Sequence, residues 1–199
     1  MNLKTENHSD DELIQVAKIH SNQLHLGFLA SLGEKTLVLM YKSIDRWSES
    51  CLITSSDNGN ISGFVSGTTS VGGLYIQFLR RDLLRWIWIL LPKLSPKNVW
   101  RIMELLLYPS KKDEVEEMLD SELLTLAVCE EAKGKGVAKK LYSELGEFFK
   151  FKGVDGYRVM VGDELERAKA FYTKMGAEKK MKVQVHGGSD SWIFVQWIR

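Results

Sequence analysis

The chain has 199 residues, with 27 lysines and arginines against 26 acids. That length fits one domain with a sizeable core, and the near-zero net charge gives no electrostatic footprint for nucleic acid. Two widely separated cysteines, Cys51 and Cys129, exclude a disulfide framework and a cysteine metal site, and they fit a reducing compartment. The first residues lack the apolar core of a signal peptide, so the expectation is a cytoplasmic protein.

Residues 2–7 can form a first strand. Ser9-Asp10-Asp11-Glu12 is rich in helix-starting residues. Leu13, Val16, Ala17, Ile19 and His20 follow at helical spacing to about Leu24, where Gly27 interrupts. A second helix is expected over 34–47, with Leu37, Met40, Tyr41 and Ile44 on one face. Residues 50–56 and 61–68 read as two strands around Asp57-Asn58-Gly59-Asn60, a turn whose residues tolerate positive φ.

Residues 71–118 are different. Tyr75 to Leu91 is almost entirely apolar around Leu83-Leu84-Arg85-Trp86-Ile87-Trp88, yet too short to span a bilayer. Further helices are expected near 96–107 and 111–119. A helix apolar nearly all round must be covered. Three covers stay open: the sheet or an acceptor pocket, a second copy in a homodimer, or a membrane surface met through 75–107.

Leu123 to Val128 is a β-competent run. On a regularly alternating strand Glu122, Leu124, Leu126 and Val128 share one face. A polar turn follows with Gly134 and Gly136, and then Val137, Leu141, Leu145, Phe148 and Phe149 recur at helical spacing. A strand, a glycine turn and a helix N-terminus together make a seat for an anion, because the first helical amides lack internal partners and lie at the positive end of the dipole. Lys133, Lys135, Lys139 and Lys140 add charge there. Gly-x-x-x-x-Gly-Lys-Ser/Thr is absent, and Lys139 stands where a dinucleotide fingerprint needs glycine or alanine. Cys129, at the strand end, is a candidate nucleophile or a small packing residue. Downstream, 155–161 reads as a strand, 164–175 as a helix, and 178–186 and 191–198 as two strands around Gly187-Gly188-Ser189-Asp190.

Lys133-Gly134-Lys135-Gly136-Val137-Ala138 resembles the Gln/Arg-x-x-Gly-x-Gly/Ala motif of the GNAT superfamily of acetyl-CoA-dependent N-acetyltransferases, with lysine at the first position. Ala168-Lys-Ala-Phe171-Tyr172-Thr-Lys174-Met-Gly176-Ala177 resembles the family's Ala-x-x-Phe-Tyr-x-Lys-x-Gly-Phe, with Ala177 for phenylalanine and Leu165 where asparagine is common. The resemblance covers about 121–197.

It implies an α/β (α+β) GNAT fold over 1–199, with a mixed sheet of about seven strands and 71–118 inserted between the third and fourth. It implies acetyl-CoA as cosubstrate and no metal, held by the backbone of Leu126, Ala127 and Val128 and of residues 133–138. It also implies a splayed strand pair for the pantetheine arm, the Val128 N–H on the thioester oxygen, Glu122 as general base and Tyr172 as the acid for the thiolate. The acceptor it suggests is a primary amine of a small molecule or amino sugar. A peptide or protein amine stays open, as do a CoA-binding protein without turnover and a docking module built on 75–107.

Overall fold

The computed structural model describes residues 2–5, 7–24, 28–90, 119–185 and 189–198. The helices expected near 96–107 and 111–119, like His25, lie outside the described residues.

Helix α1, Asp10–Gln23, begins with a reciprocal capping box: the Glu12 amide donates to the Ser9 side chain, and the Glu12 carboxylate accepts from the Ser9 amide at 2.7 Å. Two orphan donors are satisfied at once. Leu13, Val16, Ala17, Ile19 and His20 are buried, as the spacing requires. A one-turn helix α2, Phe28–Ser31, which the sequence pattern did not indicate, precedes α3, Glu34–Arg46. Strands β2, Ser50–Asp57, and β3, Asn60–Thr68, meet at a two-residue turn. Asn58 (φ 49°) and Gly59 (φ 80°) are both left-handed, the conformation that matches strand twist in a tight hairpin.

Helix α4, Val71–Leu90, opens the segment between β3 and β4, Glu122–Val128. Helix α5, Val137–Phe151, strand β5, Gly156–Gly162, and helix α6, Glu166–Lys174, follow. Strands β6, Glu178–Val185, and β7, Ser189–Trp197, complete the chain. Ser189 and Asp190 belong to β7 and pair with Val185 and Gln184, so the last hairpin turn is shorter than Gly187–Asp190. With β1, Asn2–Lys4, these strands form one seven-stranded mixed sheet in the order β1-β2-β3-β4-β5-β7-β6.

Two apolar layers cover the sheet. On one face Leu141, Leu145 and Phe149 of α5 pack on Cys51, Ile53, Val65, Tyr157 and Val159. Phe149 stacks on Tyr157 with ring centroids 4.4 Å apart. On the other face α1 and α3 close over Leu52, Phe64 and Ala127. Helix α4 joins that side: Phe78 and Trp86 pack with Leu32 and Leu39. Thus part of the apolar insertion covers the helical layer over the sheet, while Leu84 and Trp88 stay 75% and 76% exposed on its outer side. No described helix is long and apolar enough to cross a membrane.

Two buried histidines tie the helices to this layer. His8 Nδ1 lies 2.7 Å from Asp45 Oδ1 and its Nε2 2.9 Å from Thr54 Oγ1, fixing the chain before α1 to α3 and β2. His20 Nδ1 lies 2.6 Å from the Tyr41 hydroxyl. Burial pushes the His20 pKa down to about 4, so the ring is neutral at pH 7 and placed to accept from the phenol. An unfolded chain protonates this histidine near pH 6.5, the native one only near 4. Between those values the unfolded state binds more protons, so stability falls as pH drops from about 6.5 to about 4, by at most about 3 kcal/mol from this group. His20→Gln, which does not titrate, is expected to show a shallower acid loss than wild type in urea unfolding at pH 7 and pH 4.5. Identical pH dependences would show that His20 does not contribute.

Candidate active site

The glycine turn is built as an anion seat. After β4 a 3-10 turn, Glu130–Ala132, leads into Gly134 (φ 75°) and Gly136 (φ 78°). Both glycines are left-handed, which any other residue adopts only at a cost. A Cβ at either would meet nothing within 4 Å, so backbone conformation rather than crowding calls for glycine here. Gly136 is the N-cap of α5 and supplies no side chain to its amides.

The first intrahelical bond runs from the Lys140 amide to the Gly136 carbonyl at 3.1 Å. The amides of Val137, Ala138 and Lys139 therefore have no acceptor inside the helix. Those of Lys133 and Lys135 are used within the turn. Open donors at a positive helix end fit a diphosphate. Lys133 Nζ lies 2.5 Å from Glu130 Oε2, so its charge is turned toward that carboxylate. Val137 is buried under the sheet face, pinning the helix start. Strand β3 has glycine where α5 and β4 meet: a Cβ at Gly63 would lie 3.0 Å from the Ala127 carbonyl and 3.2 Å from Val137.

The second feature is a split in the sheet. Strands β4 and β5 run parallel and pair only at Glu122–Arg158 and Leu123–Val159, whereas β4 stays paired with β3 as far as Val128. The Cys129 amide donates to Ser62 on the β3 side at 2.9 Å. Amide direction alternates along a strand, so Ala127 also faces β3, and the backbone groups of Leu126 and Val128 face the gap. Unpaired strand groups thus stand next to the open donors of a helix N-terminus.

A bulge modifies β4. Thr125 pairs with Ser66 and Leu123 with Gly67, leaving Leu124 as an extra residue. Strict alternation put Glu122, Leu124, Leu126 and Val128 on one face, and the bulge corrects this. Leu123, Leu126 and Val128 pack in the α5 layer, whereas Leu124 and Ala127 pack in the α1/α3 layer. Glu122 precedes Leu123 and turns away from the α5 layer. Its Oε2 accepts from Arg158 Nε at 2.8 Å, with the two side chains 13% and 3% exposed. Arg158, between the α5-facing residues Tyr157 and Val159, points to the same side as Glu122. The carboxylate thus sits where the gap closes, with a guanidinium competing for its lone pairs.

Tyr172 lies in α6 and is 7% exposed. Its ring packs against Tyr142, Phe171 and Phe194 in the apolar cluster that also borders Leu126 and Val128. Burial, with Tyr142 adding to it, holds the phenol well above its ordinary value, so it is a permanent hydrogen-bond donor. Burial also raises the Cys129 thiol, and Glu131 reinforces the shift. The thiolate needed for nucleophilic catalysis is disfavoured. Two polar residues at the closed end escaped the sequence pattern. Arg158 was visible only as a charge inside an apolar strand. Tyr75, on α4, was hidden within the apolar insertion.

Residues 104–177 match the model of the acetyltransferase (GNAT) family. That segment therefore resembles the GNAT acetyltransferases. Solved GNAT structures share its fold over nearly the whole chain. An N-acetyltransferase from Staphylococcus aureus Mu50 superposes with a TM-score of 0.65, 12% identity and 100% of each chain covered. The ribosomal-protein-S18-alanine N-acetyltransferase from Escherichia coli gives 0.61 at 12% identity, covering 99% of this chain and 94% of that one. The PaiA N-acetyltransferase from Thermoplasma acidophilum, in complex with coenzyme A, gives 0.59 at 13% identity and 99% of each chain. A search of curated proteins gave no match. The matched segment includes β4, the glycine turn, α5, β5 and α6, the elements that border the gap.

Proposed function

We propose that this domain transfers an acetyl group from acetyl-CoA to a primary amine of a small molecule by direct attack. The observation that carries the reading is the pairing of two sets of open backbone groups, those of Leu126 and Val128 on the β4 edge and those at the α5 N-terminus. In this reading the diphosphate rests on the open amides within residues 133–138, those of Val137 and Ala138 in the first turn of α5 among them, since the Lys133 and Lys135 amides are used within the turn. The pantetheine arm then takes the place of the missing β4–β5 rungs along Leu126, Ala127 and Val128. The coenzyme A complex of the Thermoplasma PaiA enzyme, which shares the fold, supports this choice of cosubstrate.

The opposed placement of Glu122 and Tyr172 suits a direct transfer. Glu122 belongs to the side of α1 and α3, Tyr172 to the side of α5 and α6. An acceptor ammonium gives its proton to the carboxylate, and the amine lone pair attacks the thioester carbon from that side. The Val128 N–H meets the developing oxyanion. The C–S bond breaks, and the thiolate leaves toward the other side, where Tyr172 donates a hydrogen bond and passes on a proton that the second N–H proton of the attacking nitrogen replaces, while the proton on Glu122 is released to solvent.

The test is twofold: acetyl-CoA binding by calorimetry, then thiol release and acetylated product across a panel of amines, amino sugars and peptide N-termini. Micromolar binding with turnover of a small amine is expected. Failure to bind acetyl-CoA would overturn the reading, and turnover of peptides alone would replace the acceptor class. Tyr172→Phe is expected to lower kcat about 10- to 100-fold, the worth of one hydrogen bond to a charged group. The acetyl-CoA dissociation constant should not move. An unchanged kcat would remove Tyr172 from the mechanism.

A further inference from the structure

Helix α4 begins beside the closed end of the gap. Thr68, the last residue of β3, pairs directly with Glu122. Ser70 then starts α4, accepting the Gly73 amide at 3.0 Å on its hydroxyl. The Val71 amide donates to the carbonyl of Asp120 at 3.2 Å, two residues before Glu122. These contacts fix the first turn of α4 against the start of β4, on the side to which Glu122 points. Leu74 packs into the α1/α3 layer beside Leu124 and Ala127. Tyr75 follows it, half-buried.

Tyr75 stands one helical turn beyond Val71, whose amide bonds Asp120, and so on the face of α4 turned to the start of β4 and its Glu122 carboxylate. Burial first, and that carboxylate's charge second, hold the phenol well above its ordinary value. A polar ring in an apolar insertion is therefore placed by four residues of ordinary backbone bonding beside the start of β4, where Glu122 stands.

We propose that Tyr75 is an acceptor-binding residue of this enzyme. Its hydroxyl and the Glu122 carboxylate are the two polar walls that receive the N–H groups of a primary amine before transfer. The proposal rests on the acetyl-transfer reading and deepens it. It makes the segment inserted after β3 a determinant of acceptor choice, with a phenol that accepts one N–H while the carboxylate takes another. The Tyr75 oxygen has two lone pairs and one proton. It can accept from the ammonium and donate to the carboxylate together, which orients the nitrogen before deprotonation.

Steady-state kinetics on the full chain test this, with wild type, Tyr75→Phe and Tyr75→Leu and the best small amine from the acceptor panel. Loss of a single hydrogen bond to a charged group predicts an acceptor KM about 10- to 100-fold higher in Tyr75→Phe, with the acetyl-CoA KM and the melting temperature unchanged. Tyr75→Leu is expected to raise the acceptor KM at least as much.

An unchanged acceptor KM in a folded Tyr75→Phe overturns the proposal while wild-type turnover keeps the acetyl-transfer reading intact. A parallel rise in the acetyl-CoA KM with a lower melting temperature assigns Tyr75 to packing and overturns it as well. Absence of turnover in wild type with every amine would overturn the underlying reading, and this proposal with it.

Discussion

Gly136→Glu is expected to weaken acetyl-CoA binding at least ~100-fold, a loss of about 3 kcal/mol or more. Two effects contribute, and a second variant separates them. Gly136 is left-handed at φ 78° with open space beyond its Cα. Gly136→Ala therefore suffers only the backbone penalty of roughly 1–2 kcal/mol, and no steric clash with the protein. Glutamate brings the same penalty and sets a carboxylate at the helix end where the diphosphate is proposed to rest. Calorimetry on both variants, with melting temperatures as a check on folding, gives the answer. Equal stability loss in the two, with binding abolished only in the glutamate variant, supports an anion seat. Full binding by a folded Gly136→Glu would mean that the diphosphate lies elsewhere.

The second large effect is on stability. Arg158→Leu removes a guanidinium that is 3% exposed and with it the 2.8 Å bond to the Glu122 carboxylate, which is 13% exposed. Breaking one side of such a pair costs about 3–5 kcal/mol, whereas replacing both sides by apolar groups is close to neutral. Urea unfolding of Arg158→Leu should show a loss near the lower end of that range, because Glu122 retains some water. Arg158→Leu combined with Glu122→Met should recover at least half of it. Additive losses in the double variant would show that the two side chains do not act as a pair. The pair matters for chemistry too, since it fixes the carboxylate in one orientation at the closed end of the gap.

Local signals carried most of this fold. The capping residues of α1, the Asn58-Gly59 turn and the glycine turn before α5 each depend on neighbours within four positions, and each was readable. The buried stripe Val137, Leu141, Leu145 and Phe149 followed from spacing alone. What stayed hidden depends on partners far along the chain. The bulge at Leu124 exists because β3 and β4 keep two registers, Thr125 on Ser66 and Leu123 on Gly67. Nothing in Leu123-Leu124-Thr125 announces an extra residue, so alternation carried Glu122 to the wrong side. Arg158 meets Glu122 from 36 positions away. Tyr75 looked like one more apolar-run aromatic until the Val71–Asp120 bond placed α4 beside β4. Helix α2 is four residues long, too short to leave a periodic trace.

The two-rung seam between β4 and β5 also has a mechanical meaning. Strands β1 to β4 form one leaf and β5 to β7 the other, and only Glu122–Arg158 and Leu123–Val159 stitch them within the sheet. Helix α5 also bridges the leaves, packing on Cys51, Ile53 and Val65 of one and on Tyr157 and Val159 of the other. A molecule lying along Leu126 and Val128 and reaching the α5 N-terminus would stand in for the absent mortar. At a free concentration 100 times its dissociation constant it would add about 2.7 kcal/mol to the folded state. For a domain divided in this way, supply of its own substrate doubles as scaffolding.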